Sequence, residues 1–229
     1  LQKLFYTESE ILLSTSSGSG LMEGAIRSCT SRKAAVFSCG AFGDRWYKMA
    51  VTNNVKADLY NVDMGKAITP EMVDAALATG QYDLIAVQHN ETSTGITNPI
   101  EEIAEVVNKY KDVIFCVDAV SSAGGAKIEV DKLGIDILIT STQKALGLPP
   151  GMAICTFSER AIKRAETVEF RGTYFDLLAM YKYLKKKNYQ YPSTPSLSHM
   201  FAMDYQLDNI LKEGLDKRFK RHEQMANLV

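Results

Sequence analysis

Short runs of apolar and β-branched residues recur along the chain, each broken by small and polar residues and then followed by an amphipathic stretch. The runs at 10–15 (EILLST), 33–39 (KAAVFSC), 57–62, 83–88 (DLIAVQ), 113–117 (VIFCV) and 152–157 (MAICTF), and the start of 135–151 (IDILITSTQKALGLPPG), carry the pattern of buried strands. Residues 45–54, 69–78, 99–111 and 158–166 read as helices between them. In the third of these, Ile100, Ile103, Ala104 and Val107 share one stripe. Thr69 suits an N-cap and Pro70 the first helical position. Over 174–195 the pattern is aromatic, basic and Pro-broken, and periodicity says little. Ser196 or Ser198 then opens a long helix to Glu213, interrupted at Gly214 and continued by the charged stretch 216–223. Alternation of this kind predicts an α/β fold.

The 229 residues fit one large α/β domain or one domain and part of another, and length alone does not choose; 46% hydrophobic against 23% charged residues is an ordinary globular balance. With 26 basic and 27 acidic residues the net charge is -1, which gives no global electrostatic reason for a nucleic-acid or membrane partner. The basic cluster at 182–187 (KYLKKK) reads as a solvated helix face. No apolar run approaches the ~20 residues that span a bilayer. Cysteines 29, 39, 116 and 155 lie far apart, with no C-x-x-C pair. A zinc or disulfide framework is therefore not expected, and a reducing, cytoplasmic setting is the default.

Chemistry enters where the strands break. The stretches 113–125 (VIFCVDAVSSAGG) and 135–151 each put one charged side chain just past an apolar run, Asp118 and Lys144. Ligands of open α/β sheets sit beyond the carboxyl ends of the strands, so both residues are expected to face one crevice. A lysine that forms a Schiff base and an aspartate that pairs with a pyridinium nitrogen are the protein's share of pyridoxal phosphate chemistry. The loop 16–20 (SSGSG), opening the helix of Leu21, Met22, Ala25 and Ile26, is a candidate anion cradle. Phe42, in the turn 40–43 (GAFG) ahead of the 45–54 helix, is placed to stack on a flat ring. Trp46 reads as packing. The polar cluster 89–95 (HNETSTG) also points into the crevice, with His89 read as structural for want of a visible partner.

Taken together, the segment DAVSSAGGAKIEVDKLGIDILITSTQKALGLPPGMAI resembles the cofactor segment of class V aminotransferases, in the alanine/serine–glyoxylate (serine–pyruvate) branch. HNETSTG, SSGSGLMEG and STPSLSHMFAM resemble other landmarks of that branch, in order. The resemblance implies the large domain of the pyridoxal-phosphate transferase fold of type I, a mostly parallel mixed sheet flanked by helices. Residues 1–229 would form this domain, 196–229 leading towards a C-terminal small domain missing from the chain. It implies that Lys144 holds the cofactor and that Asp118 pairs with its ring nitrogen. Val120 and Phe42 would cover the two ring faces, and Thr92 would bond the ring hydroxyl. Gly18, Ser19 and Gln143 would hold the phosphate, completed by Tyr191 and Thr194 from the other subunit of a homodimer.

The implied activity is transfer of an amino group from a small amino acid, alanine or serine, to a 2-oxo acid such as glyoxylate or pyruvate. A free lysine titrates near ~10.4, so partial burial of Lys144 is expected to keep its amine usable. Ser16 stands where the family commonly has glycine, tolerable if its φ is negative. The family's substrate-carboxylate arginine has no match here; Arg171 and Arg221 are expected as available cations. Other class V activities compete: 2-aminoethylphosphonate or ureidoglycine transamination, a desulfurase-like lyase (which usually has His where Gln143 stands), or cofactor binding without turnover.

Overall fold

The computed structural model describes residues 1–186 and 190–228. A short helix α1 (Gln2–Phe5) precedes strand β1 (Glu10–Ser14) and helix α2 (Gly18–Cys29). Two more strand–helix units follow, β2 (Ala34–Ser38) with α3 (Ala41–Thr52) and β3 (Ala57–Asn61) with α4 (Pro70–Leu77). Strand β4 (Leu84–Gln88) runs into a small hairpin, β5 (Asn90–Glu91) and β6 (Ile96–Thr97), ahead of α5 (Ile100–Val107). Then come β7 (Ile114–Asp118), α6 (Val130–Leu133), β8 (Ile137–Ser141), β9 (Ala153–Phe157) and α7 (Glu159–Thr167). Helices α8 (Leu177–Leu184), α9 (Leu197–Glu213) and α10 (Leu215–Ala226) follow.

The main sheet has the order β1-β9-β8-β7-β4-β2-β3. Strands β3, β2, β4, β7 and β8 are parallel; β9 runs antiparallel to β8, and β1 antiparallel to β9. This is the mostly parallel mixed sheet that the family resemblance implies. Strands β2, β4, β7, β8 and β9 are buried at every position, which is why they read as unbroken apolar runs. Alternate side chains feed two cores. Ile85, Val87, Phe115 and Val117 meet Val73, Ile103 and Ile210 on one face. On the other, Leu84, Ala86, Ile114 and Cys116 meet Leu21, Ile26, Trp46 and Leu177. Each fully buried Leu, Ile or Phe is worth about 1.5–3 kcal/mol, against about 0–1 for a surface pair such as Lys66–Asp63. Burial decides the fold.

Local signals hold where the chain supplies its own partners. Thr69 Oγ1 accepts from the N–H of Met72 with Pro70 at the helix start, and Ser158 Oγ accepts from Ala161 N–H at 3.0 Å. The fully buried Trp46 is packing, as expected. All four cysteines are free and buried, no cluster of metal-ligating side chains occurs among the described residues, and no described helix is long and apolar enough to cross a membrane. One expectation needs correction, and one stretch where periodicity says little gains an element. The turn 40–43 is already the first turn of α3, which begins at Ala41 rather than at residue 45. Within the stretch 174–195, α8 is present, capped by Asp176, which accepts from Ala179 N–H at 3.1 Å. Helix α3 starts on acceptors from a distant segment, Glu91 and Ser93, which periodicity does not report, whereas α8 starts on its own local cap. In the basic cluster, Lys185 pairs with Glu10 and Lys186 lies over the Tyr183 ring; Lys187 falls outside the described residues.

Candidate active site

The carboxyl ends of β2, β4, β7 and β8 open on one edge of the sheet, and the N-terminus of α2 comes to the same edge. Register aligns Gln88, Asp118 and Ile139 across three neighbouring strands. By alternation, Gln88, Asp118 and Ser141 project towards the layer of α2 and α3. Gly18 is the reason α2 can close on this edge. A Cβ there would come within 2.7 Å of Val120 Cγ2, with Ser141 Oγ at 3.8 Å. Gly18, Ser19, Val120 and the end of β8 are thus brought together. Ser16, absent from the residues with positive φ, meets the condition set for it.

Asp118 is buried, and its Oδ1 accepts one hydrogen bond, from Val120 N–H at 2.9 Å. Two buried aspartates at the opposite edge of the sheet show what a structural acid looks like. Asp83 accepts from the N–H groups of Ser31, Arg32 and Lys33 and pairs with Arg164. Asp136 accepts from Phe115 N–H and Ser158 Oγ and pairs with Arg160. Asp118 lacks such saturation. Burial pushes its carboxyl up to about 6, with the Val120 N–H and Arg45 acting against that rise and Glu91 adding to it. Its neighbours Gln88, Ser141 and Gln143 keep buried polar atoms without a protein partner: both amide atoms of Gln88, Ser141 Oγ and Gln143 Oε1. Such atoms call for an acceptor or donor from outside the chain.

His89 follows β4. Its N–H donates to the Asp118 carbonyl at 2.8 Å and its Nδ1 lies 2.9 Å from Ser122 Oγ. Burial pushes its imidazole down to about 4, so it is neutral at pH 7. It is a packing and hydrogen-bonding residue that fixes the turn after Asp118. A cavity of about 700 Å³ lies on its far side, against Lys127, Phe219 and His222. Neither Asp118 nor Lys144 lines that cavity, so it is not the crevice of interest.

Lys144 lies in the turn after β8 and is exposed rather than partly buried. The turn is pinned by Gly147 N–H donating to the Lys144 carbonyl at 2.9 Å and Leu148 N–H donating to the Thr142 carbonyl at 3.0 Å. Thr92 is exposed beyond β5. Tyr191 lines a narrow crevice with Ser14 and Met152, and the Thr194 carbonyl accepts from Thr15 Oγ1 at 3.3 Å. Both therefore lie by the end of β1 in their own subunit. Arg171 and Arg221, expected as available cations, are engaged: Arg171 with Asp176 at 3.1 Å and Arg221 with Glu213 at 2.6 Å.

Three positioning residues escaped the sequence. Glu91 is fully buried; one oxygen accepts from the N–H groups of Phe42 and Gly43, the other from Ser93. It thereby caps the α3 start and fixes Phe42. Gly40 permits this contact, since a Cβ there would collide with Ser93 Oγ and the Glu91 side chain. Arg218 of α10 is buried and donates to the carbonyls of Gly124 and Ala145, tying the loop after Asp118 to the turn that carries Lys144. Arg45 donates to Ser19 Oγ at 2.9 Å, with its guanidinium 4.7 Å from the centre of the Phe42 ring. Glu91 stood inside the HNETSTG stretch; nothing in the local pattern marks the other two.

The family model for class-V aminotransferases matches residues 32–229. An uncharacterized aminotransferase of Methanocaldococcus jannaschii is 41% identical over 99% of this chain and 59% of its own length. The alanine–glyoxylate aminotransferase of Oryctolagus cuniculus is 31% identical, again over 99% of this chain and 59% of its own. The solved alanine–glyoxylate aminotransferase of a Nostoc species superposes with a TM-score of 0.90 at 28% identity, covering 100% of this chain and 61% of that one. The chain spans less than two thirds of the length of each. The chain belongs to the class-V aminotransferase family.

Proposed function

We propose that this chain forms the cofactor-binding large domain of a pyridoxal-phosphate-dependent transaminase. In this reading the protein moves an amino group from a small amino acid, alanine or serine, to a 2-oxo acid such as glyoxylate or pyruvate. The observation that carries it is the under-bonded, buried Asp118 on the same sheet edge as Lys144 and a neutral anion cradle. Class-V aminotransferases use pyridoxal phosphate, and the residues present fit that group. Gln143 and Ser141 offer unpartnered polar atoms. Gly18 lets the start of α2 pack directly against Val120, which brings the free N–H groups of the helix start, favourable to an anion, to this sheet edge. Phe42, held by Glu91, and Val120 offer apolar surface for the two faces of a ring.

When bound, the cofactor supplies an aldehyde carbon that takes up amines and a ring that withdraws electrons. The chain does the rest. Gly18, Ser19 and Gln143 hold the phosphate, and Thr92 donates to the ring hydroxyl. Asp118, ionised once it faces a cation, keeps a proton on the ring nitrogen. Lys144 Nζ would anchor the cofactor and, once displaced by the substrate amine, would act as the base that removes the proton from the substrate carbon beside the amine and delivers it to the aldehyde-derived carbon of the cofactor. Tyr191 and Thr194 complete the phosphate site of a second subunit in a homodimer. Support for the dimer comes from α9, where Leu197, Phe201 and Tyr205, four residues apart, are 59%, 75% and 73% exposed. Buried free thiols suit a cytoplasmic location. They also argue against a desulfurase using a cysteine of this chain, because burial raises the thiols of Cys29, Cys39, Cys116 and Cys155.

Borohydride treatment after addition of pyridoxal phosphate, followed by peptide mass mapping, tests the anchor. The label is expected on Lys144 and is expected to vanish in Lys144→Ala. A label elsewhere, or none, refutes the assignment. Pyruvate formation from alanine with glyoxylate tests the activity; sulfide release from cysteine would favour a lyase, and binding without either product a scaffold role.

A further inference from the structure

The phosphate end of the proposed site carries no charge of its own. Gly18, Ser19, Ser141 and Gln143 are neutral, and Ser17 at the N-cap makes no side-chain capping bond. A helix start contributes roughly half an elementary charge, whereas a phosphate monoester brings about -1.5 to -2 near pH 7. Some side chain has to make up the difference.

Arg45 is the cation bonded to this cradle. It lies one helical turn beyond Phe42 on α3, spacing that puts both on one face. Its Nη1 donates to Ser19 Oγ at 2.9 Å while its guanidinium lies over the Phe42 ring. Among the described residues it pairs with no carboxylate. The direction of the Ser19 bond is the informative point. Guanidinium has donors only, and a serine hydroxyl has one proton. Ser19 Oγ must therefore accept from Arg45, which leaves its single proton free to be given elsewhere. No described protein acceptor takes it. An acceptor-only anion at the start of α2 would.

Resting on the cofactor reading above, we propose that Arg45 is the positioning residue of the phosphate end of the site. It orients the Ser19 hydroxyl as a donor to the phosphate and supplies the positive charge that the cradle lacks.

Cofactor-free protein, Arg45→Met and Arg45→Lys are each titrated with pyridoxal phosphate and, separately, with pyridoxal, which lacks the phosphate. Thermal unfolding of each is also followed with and without inorganic phosphate. Arg45→Met is expected to raise the Kd for pyridoxal phosphate by about 10–100-fold while changing that for pyridoxal by less than about twofold. It is also expected to lose the stabilisation by inorganic phosphate seen in the unsubstituted protein. Arg45→Lys should fall between, because an ammonium restores charge but not the planar fork. Equal weakening of both ligands, or unchanged affinity for pyridoxal phosphate, overturns the assignment. If the unsubstituted protein binds neither ligand, the cofactor reading fails, and the inorganic phosphate series then decides Arg45 alone. Stabilisation by phosphate that is lost in Arg45→Met supports the assignment; stabilisation that survives the substitution, or is absent from the unsubstituted protein, overturns it.

Discussion

Asp118 illustrates how one residue can carry both a cost and a proposed function. Its folded carboxyl titrates at about 6, above the ordinary value of 3.8, because burial penalises the charge. A carboxyl raised in this way favours the folded state at low pH. The advantage is present below pH 4 and is lost as pH rises through 4 to 6. Asn, which resembles the protonated acid, escapes that loss. Cofactor-free Asp118→Asn is therefore expected to match the parent protein near pH 4 and to exceed it above pH 7, by on the order of 2–3 kcal/mol. Urea midpoints at the two pH values check this; a variant less stable at pH 7 would contradict the burial argument. A bound ring cation removes the penalty, so the same substitution should weaken cofactor binding. Stability and binding then move in opposite directions, which separates a site residue from a saturated structural acid such as Asp83.

Among the elements, α3 depends most visibly on a distant partner. Its N-cap Gly40 supplies no side chain, and Glu91 and Ser93, from β5 and the loop after it, accept from the N–H groups of Ala41, Phe42 and Gly43. A buried carboxylate at a helix start gains from both the hydrogen bonds and the helix dipole. Glu91→Gln turns one acceptor oxygen into a donor facing donors, and is expected to destabilise by about 2–4 kcal/mol. The readout is the urea midpoint together with cofactor affinity, because Phe42 moves with the helix start. Unchanged values would remove Glu91 from its positioning role. Sequence periodicity begins this helix late because its first turn holds two glycines and an exposed Ala41. Only the β5–β6 hairpin supplies the missing acceptors.

Across the whole molecule, the main sheet joins two faces of core, while α9 leaves an apolar stripe uncovered. Phe201→Glu adds a charge where the side chain is already 75% exposed, so the fold should be indifferent to it. If α9 faces a second copy, sedimentation should show a dimer for the parent protein and a shift towards monomer for the variant. A parent protein that is monomeric at micromolar concentration would count against the shared site and the roles of Tyr191 and Thr194. Arg218 acts on the same scale, since α10 reaches back through it to both loops of the site.

By itself the sequence determined the strands, most helices, the place of Asp118 and Lys144 at or just past strand ends, and the Gly/Ser loop that opens α2. These follow from periodicity, local capping and the rule that ligands gather at strand ends, all of which depend on near neighbours in the chain. Tertiary structure decided the rest: where α3 begins, the presence of α8, the occupation of Arg171 and Arg221, the exposure of Lys144, and the contacts of Glu91, Arg45 and Arg218. The α3 start and the contacts of Arg45, Arg218 and Arg221 turn on hydrogen bonds or ion pairs between separate elements, and a one-dimensional pattern of apolar and polar positions holds no record of which charge meets which carbonyl.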